Sequence, residues 1–144
     1  MKRWLPLVAL AGAQFIMVLD QSVMNVSIST LVDDFDTTVT TIQAVITLYC
    51  LTMAMFMLTG GKIGDIIGRR KAFVVGLAIY ACGSAITAVA PTVAVLTFGW
   101  SILEGLGAAL VMPALVALIA GNYEGKDRNV AYAVIGGVAG AGIA

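Results

Sequence analysis

Two carboxylates sit where a carboxylate is costly to keep. Asp20 and Glu104 each lie deep inside a long apolar run of a 144-residue chain that has no histidine. A charge at the centre of a bilayer costs several kcal/mol, so intramembrane acids are rare and tend to mark working sites. Asp20 stands 15 residues past Leu5, and Glu104 stands 11 past Val93 on a run of opposite direction. At 1.5 Å per residue both come out roughly 16–22 Å from the ends of their runs, near the midplane. No cation lies within either run to neutralise them. Each is therefore expected to take up and release a proton wherever water reaches it. The chemistry on offer is proton exchange coupled to some other movement. A carboxyl that merely ties two helices together is the plainer alternative.

Other polar residues share these two runs. At about 100° per residue, Gln14, Gln21 and Asn25 fall on one stripe of the first run, with Asp20 and Ser27 along its edge. In the later run Thr97, Ser101, Glu104 and Ala108 repeat at four, three and four residues. Two polar faces at matching depth predict a shared aqueous cavity. Asp20, Glu104, Asn25, Gln21 and Ser101 are its expected proton-coupling and cavity residues.

The elements that must position them follow from composition. Sixty per cent of residues are hydrophobic and 11 per cent are charged. So few charges cannot clothe a soluble domain, and they are bunched between apolar runs rather than spread along amphipathic stripes. The class is an all-α, polytopic membrane helical bundle. A net charge of zero gives no basic surplus for nucleic acid. Cys50 and Cys82 lie inside apolar runs, which argues against a disulfide framework, and no cofactor or metal-ligand set stands out. With no nucleophile–base set either, the chain does not read as an enzyme.

A bilayer core takes about 20 mainly apolar helical residues to cross. The chain supplies runs at about 5–31, 42–60, 72–90 and 93–120, then 129–144, an incomplete fifth. Their connections are Val32–Thr41, Gly61–Lys71, Pro91–Thr92 and Gly121–Arg128, short enough to make each helix antiparallel to the next. The N-terminal run is too long for a signal peptide and lacks a small-residue cleavage site, so it reads as a first span. Alternate connections share a side. That places Lys2, Arg3, Lys62, Arg69, Arg70, Lys71, Lys126 and Arg128, all eight cations, on one face. Asp33, Asp34 and Asp36 mark the other. By the positive-inside rule the N-terminus is cytoplasmic, in a plasma or inner membrane.

Small residues predict how the helices meet. Gly105 and Ala109, then Gly136 and Gly140, are spaced for close helix packing. Met53, Met55 and Met57 point in different directions around one helix, so at least one is expected to face lipid, and most methionines serve as filler.

The polar connection also carries a resemblance. Gly61-Lys62-Ile63-Gly64-Asp65-Ile66-Ile67-Gly68-Arg69-Arg70-Lys71 resembles the signature loop between helices two and three of the major facilitator superfamily. It departs at Ile66, where the family usually has a base. Leu19-Asp20-Gln21-Ser22-Val23-Met24-Asn25-Val26-Ser27-Ile28 is similar to a first-helix motif of drug:proton antiporters, especially their fourteen-span branch. Ile102-Leu103-Glu104-Gly105-Leu106-Gly107-Ala108-Ala109 resembles their fourth-helix motif, with Ser101 at the family's arginine position and Glu104 at its glutamine position. Gly136 to Gly142 looks like the opening of the fifth-helix antiporter motif.

The resemblance implies the N-terminal portion of a facilitator fold whose remaining C-terminal part lies outside this chain. It implies export of small, often hydrophobic or drug-like compounds against protons, across the lipid bilayer. Gly61, Asp65, Gly68, Arg69 and Arg70 would form a cytoplasmic gating loop. Two other classes fit the same residues: an importer or uniporter without proton coupling, and a non-transporting membrane assembly module.

Overall fold

The computed structural model describes residues 3–143. Lys2, one of the eight cations, and Ala144, the last residue of the fifth run, lie outside them. Helix α1 (Leu5–Val26) begins with Pro6 in its first turn, where a missing N–H removes no helical bond. The helix is interrupted at Ser27 (φ −89°, ψ 8°) and resumes as the short α2 (Ile28–Asp34). Thr38 then caps α3 (Val39–Ile67), its hydroxyl accepting from the Thr41 N–H at 3.2 Å. Helix α4 (Arg69–Ala88) follows directly. Helix α5 (Val93–Asn122) starts with the Thr92 hydroxyl accepting from the Val95 N–H, and α6 (Gly125–Ile143) ends the described chain.

Three boundaries differ from the sequence expectation. The first run does not continue unbroken to residue 31, because Ser27 divides it. The polar stretch Gly61–Lys71, expected as a connection, is helical except at Gly68. Helix α3 continues through Gly61 and Asp65 to Ile67, and the corner is Gly68 alone, at φ 98° and ψ 135°. Glycine lowers helix propensity by only about 1 kcal/mol, and packing against α5 outweighs it: Gly61 lies against Pro113. Helix α6 starts near Gly125 rather than at residue 129, its first turn anchored by the Glu124 carbonyl, which accepts from Asp127 and Arg128.

Among the described residues four helices, α1, α3, α4 and α5, are long and apolar enough to cross a membrane. Their outward faces carry Leu58, Ile66 and Val26, at least 79% exposed. In water such a surface would drive aggregation, whereas in lipid it is the solvated face. Met55 faces outward in the same way. The described residues contain no strand.

Helix α5 is the hub. Half of its apolar length is buried, chiefly against α3 and α4, while α1 packs on α6. Missing side chains make those contacts close. A Cβ on Gly107 would lie 2.7 Å from the Gly76 carbonyl, and one on Gly83 would lie 2.5 Å from the Gly99 carbonyl, so α4 and α5 touch backbone to backbone. On the α3 side Gly105 meets Thr52 and the Tyr49 carbonyl, and the Ala109 carbonyl closes on Gly60. Gly136 and Gly140 approach nothing within 4 Å among the described residues. Ala131 and Gly142, about three turns apart, form the buried face of α6, and Gly142 packs on Val18. Gly136 and Gly140 lie on the far side.

The corners segregate by charge. Leu5, Pro6, Arg70 and Asn122 line one groove, which brings the start of α1, the start of α4 and the end of α5 to one end. Asp34, Thr87 and Pro91 line a cavity at the opposite end. At the basic end Arg3 pairs with Asp127, Trp4 stacks on Tyr123 with ring centroids 5.3 Å apart, and Tyr123 donates to the Arg3 carbonyl.

Gly68 gives a sharp stability prediction. Its φ of 98° is strained for any residue with a Cβ, at about 1–3 kcal/mol. Gly64, where a Cβ would meet Ala72 at an ordinary 3.5 Å, is free of that strain. Gly68→Ala is expected to lower the melting temperature of the purified protein, and Gly64→Ala to leave it nearly unchanged.

Candidate functional site

The site grows from a local departure in α5. From Thr97 to Glu104 the backbone forms π-helical turns, bonded one residue wider than an α-helix. The Thr97 hydroxyl donates to the Val93 carbonyl at 2.8 Å at its start. Within this segment Trp100, Ser101 and Glu104 are all buried. Such π-helical segments recur at functional sites.

Trp100 reaches α1. Its Nε1 donates to Asp20 Oδ2 at 2.8 Å, and the Tyr80 hydroxyl of α4 donates to the same oxygen at 2.9 Å. The Tyr49 ring of α3 stacks on the Trp100 indole, centroids 4.4 Å apart and 23° from parallel. A single carboxylate thus joins side chains from α1, α4 and α5, backed by α3. A buried indole N–H and a buried phenol both need acceptors, and one carboxyl oxygen serves both.

Glu104 is fully buried beside this cluster. Asp20, Tyr80 and Ser84 are the polar side chains nearest its carboxyl, and among the described residues neither oxygen has a partner at hydrogen-bond geometry. The Tyr49 hydroxyl and the Gln14 carbonyl oxygen are buried and unpartnered as well. Buried polar groups are normally satisfied, and the Glu104 and Tyr49 orphans lie together beside the Asp20 cluster. Gly83 makes room for Glu104, since a Cβ there would lie 2.8 Å from Glu104 Cγ.

The remaining expected cavity residues separate. Ser101 is fully buried, and its hydroxyl donates to the Val45 carbonyl at 2.7 Å, tying α5 to α3 rather than lining a cavity. Gln21 and Asn25 line a groove between α1 and α6 with Val18 and Ile143, and the Gln21 side chain also approaches the Tyr49 hydroxyl. There the Asn25 side chain donates to the Gln21 carbonyl at 2.9 Å. Asp20 instead lines a cavity of about 430 Å³ that opens at the acidic end past Ser27, Asp34 and Thr87.

At the basic end Asp65 and Arg69 form an exposed ion pair at 3.4 Å. They share a groove with Gly61, Gly64 and Pro113 against α5. Arg70 points into a different groove, beside Leu10 and Phe73. Of the expected gating set, Gly61, Asp65 and Arg69 are therefore together, Gly68 forms the corner, and Arg70 stands apart.

Tyr49, Tyr80 and Trp100 are the residues that sequence reasoning missed. In an apolar run an aromatic side chain reads as core. The signal that could have found them is their polar tips, because few acceptors are available at that depth.

Membrane-crossing helices packed around a hub helix define a polytopic membrane bundle. The chain belongs to the Major Facilitator Superfamily, whose family profile matches residues 10–144. It is 36% identical over 144 residues to the puromycin resistance protein pur8 of Streptomyces alboniger, covering 99% of this chain and 28% of that protein. It is 33% identical over 141 residues to a probable actinorhodin transporter of Streptomyces coelicolor, covering 98% and 24%. It is 29% identical over 141 residues to the tetracenomycin C resistance and export protein of Streptomyces glaucescens, covering 98% and 26%. The chain spans about a quarter of the length of these relatives.

Proposed function

We propose that these helices are the N-terminal portion of a proton-coupled antiporter that exports small, often hydrophobic or drug-like compounds. The observation that carries the reading is the pair Asp20 and Glu104, adjacent at one depth, with both oxygens of Glu104 buried and unbonded. Relatives named for antibiotic resistance and export support the direction of transport. With the basic end in the cytoplasm by the positive-inside rule, the cavity past Asp34 opens outward and gives protons a route to Asp20. Asp65 and Arg69 then gate the cytoplasmic side. Facilitator-type transporters place their sites near the midplane between two halves, so the partner surface lies in the rest of the protein.

Glu104→Gln in the full-length transporter tests the coupling. Glutamine keeps the volume and removes the proton site. With a drug that the wild type exports, proton-driven accumulation in everted vesicles is expected to fall to background while downhill exchange of the same drug persists. Proton-driven export at the wild-type rate would remove Glu104 from the mechanism.

A further inference from the structure

Both hydrogen bonds to Asp20 end on the same oxygen. Trp100 Nε1 lies 2.8 Å from Oδ2 and the Tyr80 hydroxyl lies 2.9 Å from it, and the donors come from two different helices. The indole cannot rotate away without breaking its stack on Tyr49. An indole N–H can only donate. It therefore fixes which oxygen of Asp20 is tied into the protein. The residue also lines the cavity from the acidic end with Ser27, Asp34 and Thr87, while its carboxyl is anchored through Oδ2.

We propose that Tyr80 and Trp100 are positioning residues, which clamp Asp20 by Oδ2 so that its second oxygen is the one offered to the cavity. The clamp also makes α1 report to α4 and α5. When Asp20 binds a proton the two charge-assisted bonds weaken to neutral ones, and the tie of α1 to α4 and α5 loosens without being lost.

The charged and titratable groups that face Asp20 are few. Tyr49 approaches from α3, Tyr80 from α4 and Glu104 from α5, and Asp34 of α2 shares its cavity. On α6 the charged residues Lys126, Asp127 and Arg128 are in the first turn, at the opposite end. Among the described residues no lysine or arginine lines the cavity. A pH response of Trp100 is therefore a response to Asp20, Glu104 or Asp34, and replacing Asp20 separates it from the other two.

This inference rests on Asp20 exchanging protons, and its test is kept independent of transport. The probe is the emission of Trp100 in the purified full-length protein, isolated by subtracting the spectrum of Trp100→Phe. In the wild type that emission is expected to titrate with pH. Tyr80→Phe keeps the ring, removes one donor and displaces the midpoint by about one pH unit, the size of one hydrogen bond to a charged group. Asp20→Asn leaves the emission flat across the same range. An emission that does not titrate, a midpoint unmoved by Tyr80→Phe, or a titration that survives Asp20→Asn overturns the clamp. Should Tyr80→Phe fail to fold, the comparison of wild type with Asp20→Asn still decides. Normal export by Asp20→Asn would instead sink the functional reading, whatever the emission does.

Discussion

Asp20→Asn is expected to abolish proton-driven export while leaving the helices packed, and Asp20→Ala to lose both. The two substitutions differ in what they leave behind. Asparagine offers a carbonyl oxygen where Oδ2 stood, so Trp100 Nε1 and the Tyr80 hydroxyl keep an acceptor. What it removes is the charge and the proton site. Alanine removes the acceptor too, and strands a buried indole N–H and a buried phenol, at about 1–3 kcal/mol for each. Thermal melting of the purified full-length protein should therefore order wild type and Asn close together, with Ala well below. Transport should order them differently, with Asn as inactive as Ala in proton-driven export. Active export by the Asn variant would reduce Asp20 to a tie between helices, which is the plainer alternative that its sequence position leaves open.

That alternative stays open in the sequence because a lone carboxylate in an apolar run announces a cost but not the groups that meet it. Asp20 and Glu104 are legible for a simple reason: they are the charges inside long apolar runs, and counting residues places both at similar depth. The helical class and the separation of basic and acidic ends are legible in the same way, since charge placement is a property of the chain itself. Tyr49, Tyr80 and Trp100 are not, because an aromatic residue among leucines and valines gives no contrast. Only tertiary packing turns Trp100 towards Asp20, through π-helical turns whose wider bonding no local pattern of Thr97–Glu104 announces.

The corner at Gly68 shows the converse error. Glycines and charges between 60 and 71 resemble a loop in composition, yet the helix runs through them because neighbouring helices hold it. Ser101 is a similar case. Its spacing puts it on the stripe with Glu104, but spacing cannot say that α3 lies against that stripe and takes the hydroxyl. Periodicity gives a face, and contact gives it a meaning.

Gly83→Ala should be among the most damaging single-methyl changes in this chain. A new Cβ there would stand 2.5 Å from the Gly99 carbonyl oxygen, 2.9 Å from the Glu104 backbone nitrogen and 2.8 Å from Glu104 Cγ. Two of those three atoms are backbone, so no rotamer change relieves the clash, and α4 must move away from α5. Overpacking of this kind costs about 1–3 kcal/mol, occasionally more. The displacement has a second effect because of where it falls. Glu104 would be pushed from its place beside Asp20, and Tyr80, one turn before Gly83 on the same helix, would be drawn off Oδ2. Gly83→Ala should accordingly lower the melting temperature and abolish export together. Gly64→Ala, the same chemical change with an ordinary 3.5 Å contact to Ala72, should leave the melting temperature near that of the wild type. If both variants melt like wild type, α4 and α5 are not joined through Gly83 and Gly99, and the place given to Glu104 falls with that contact. If Gly83→Ala melts early but exports normally, the packing stands and the dependence of export on Glu104's position fails.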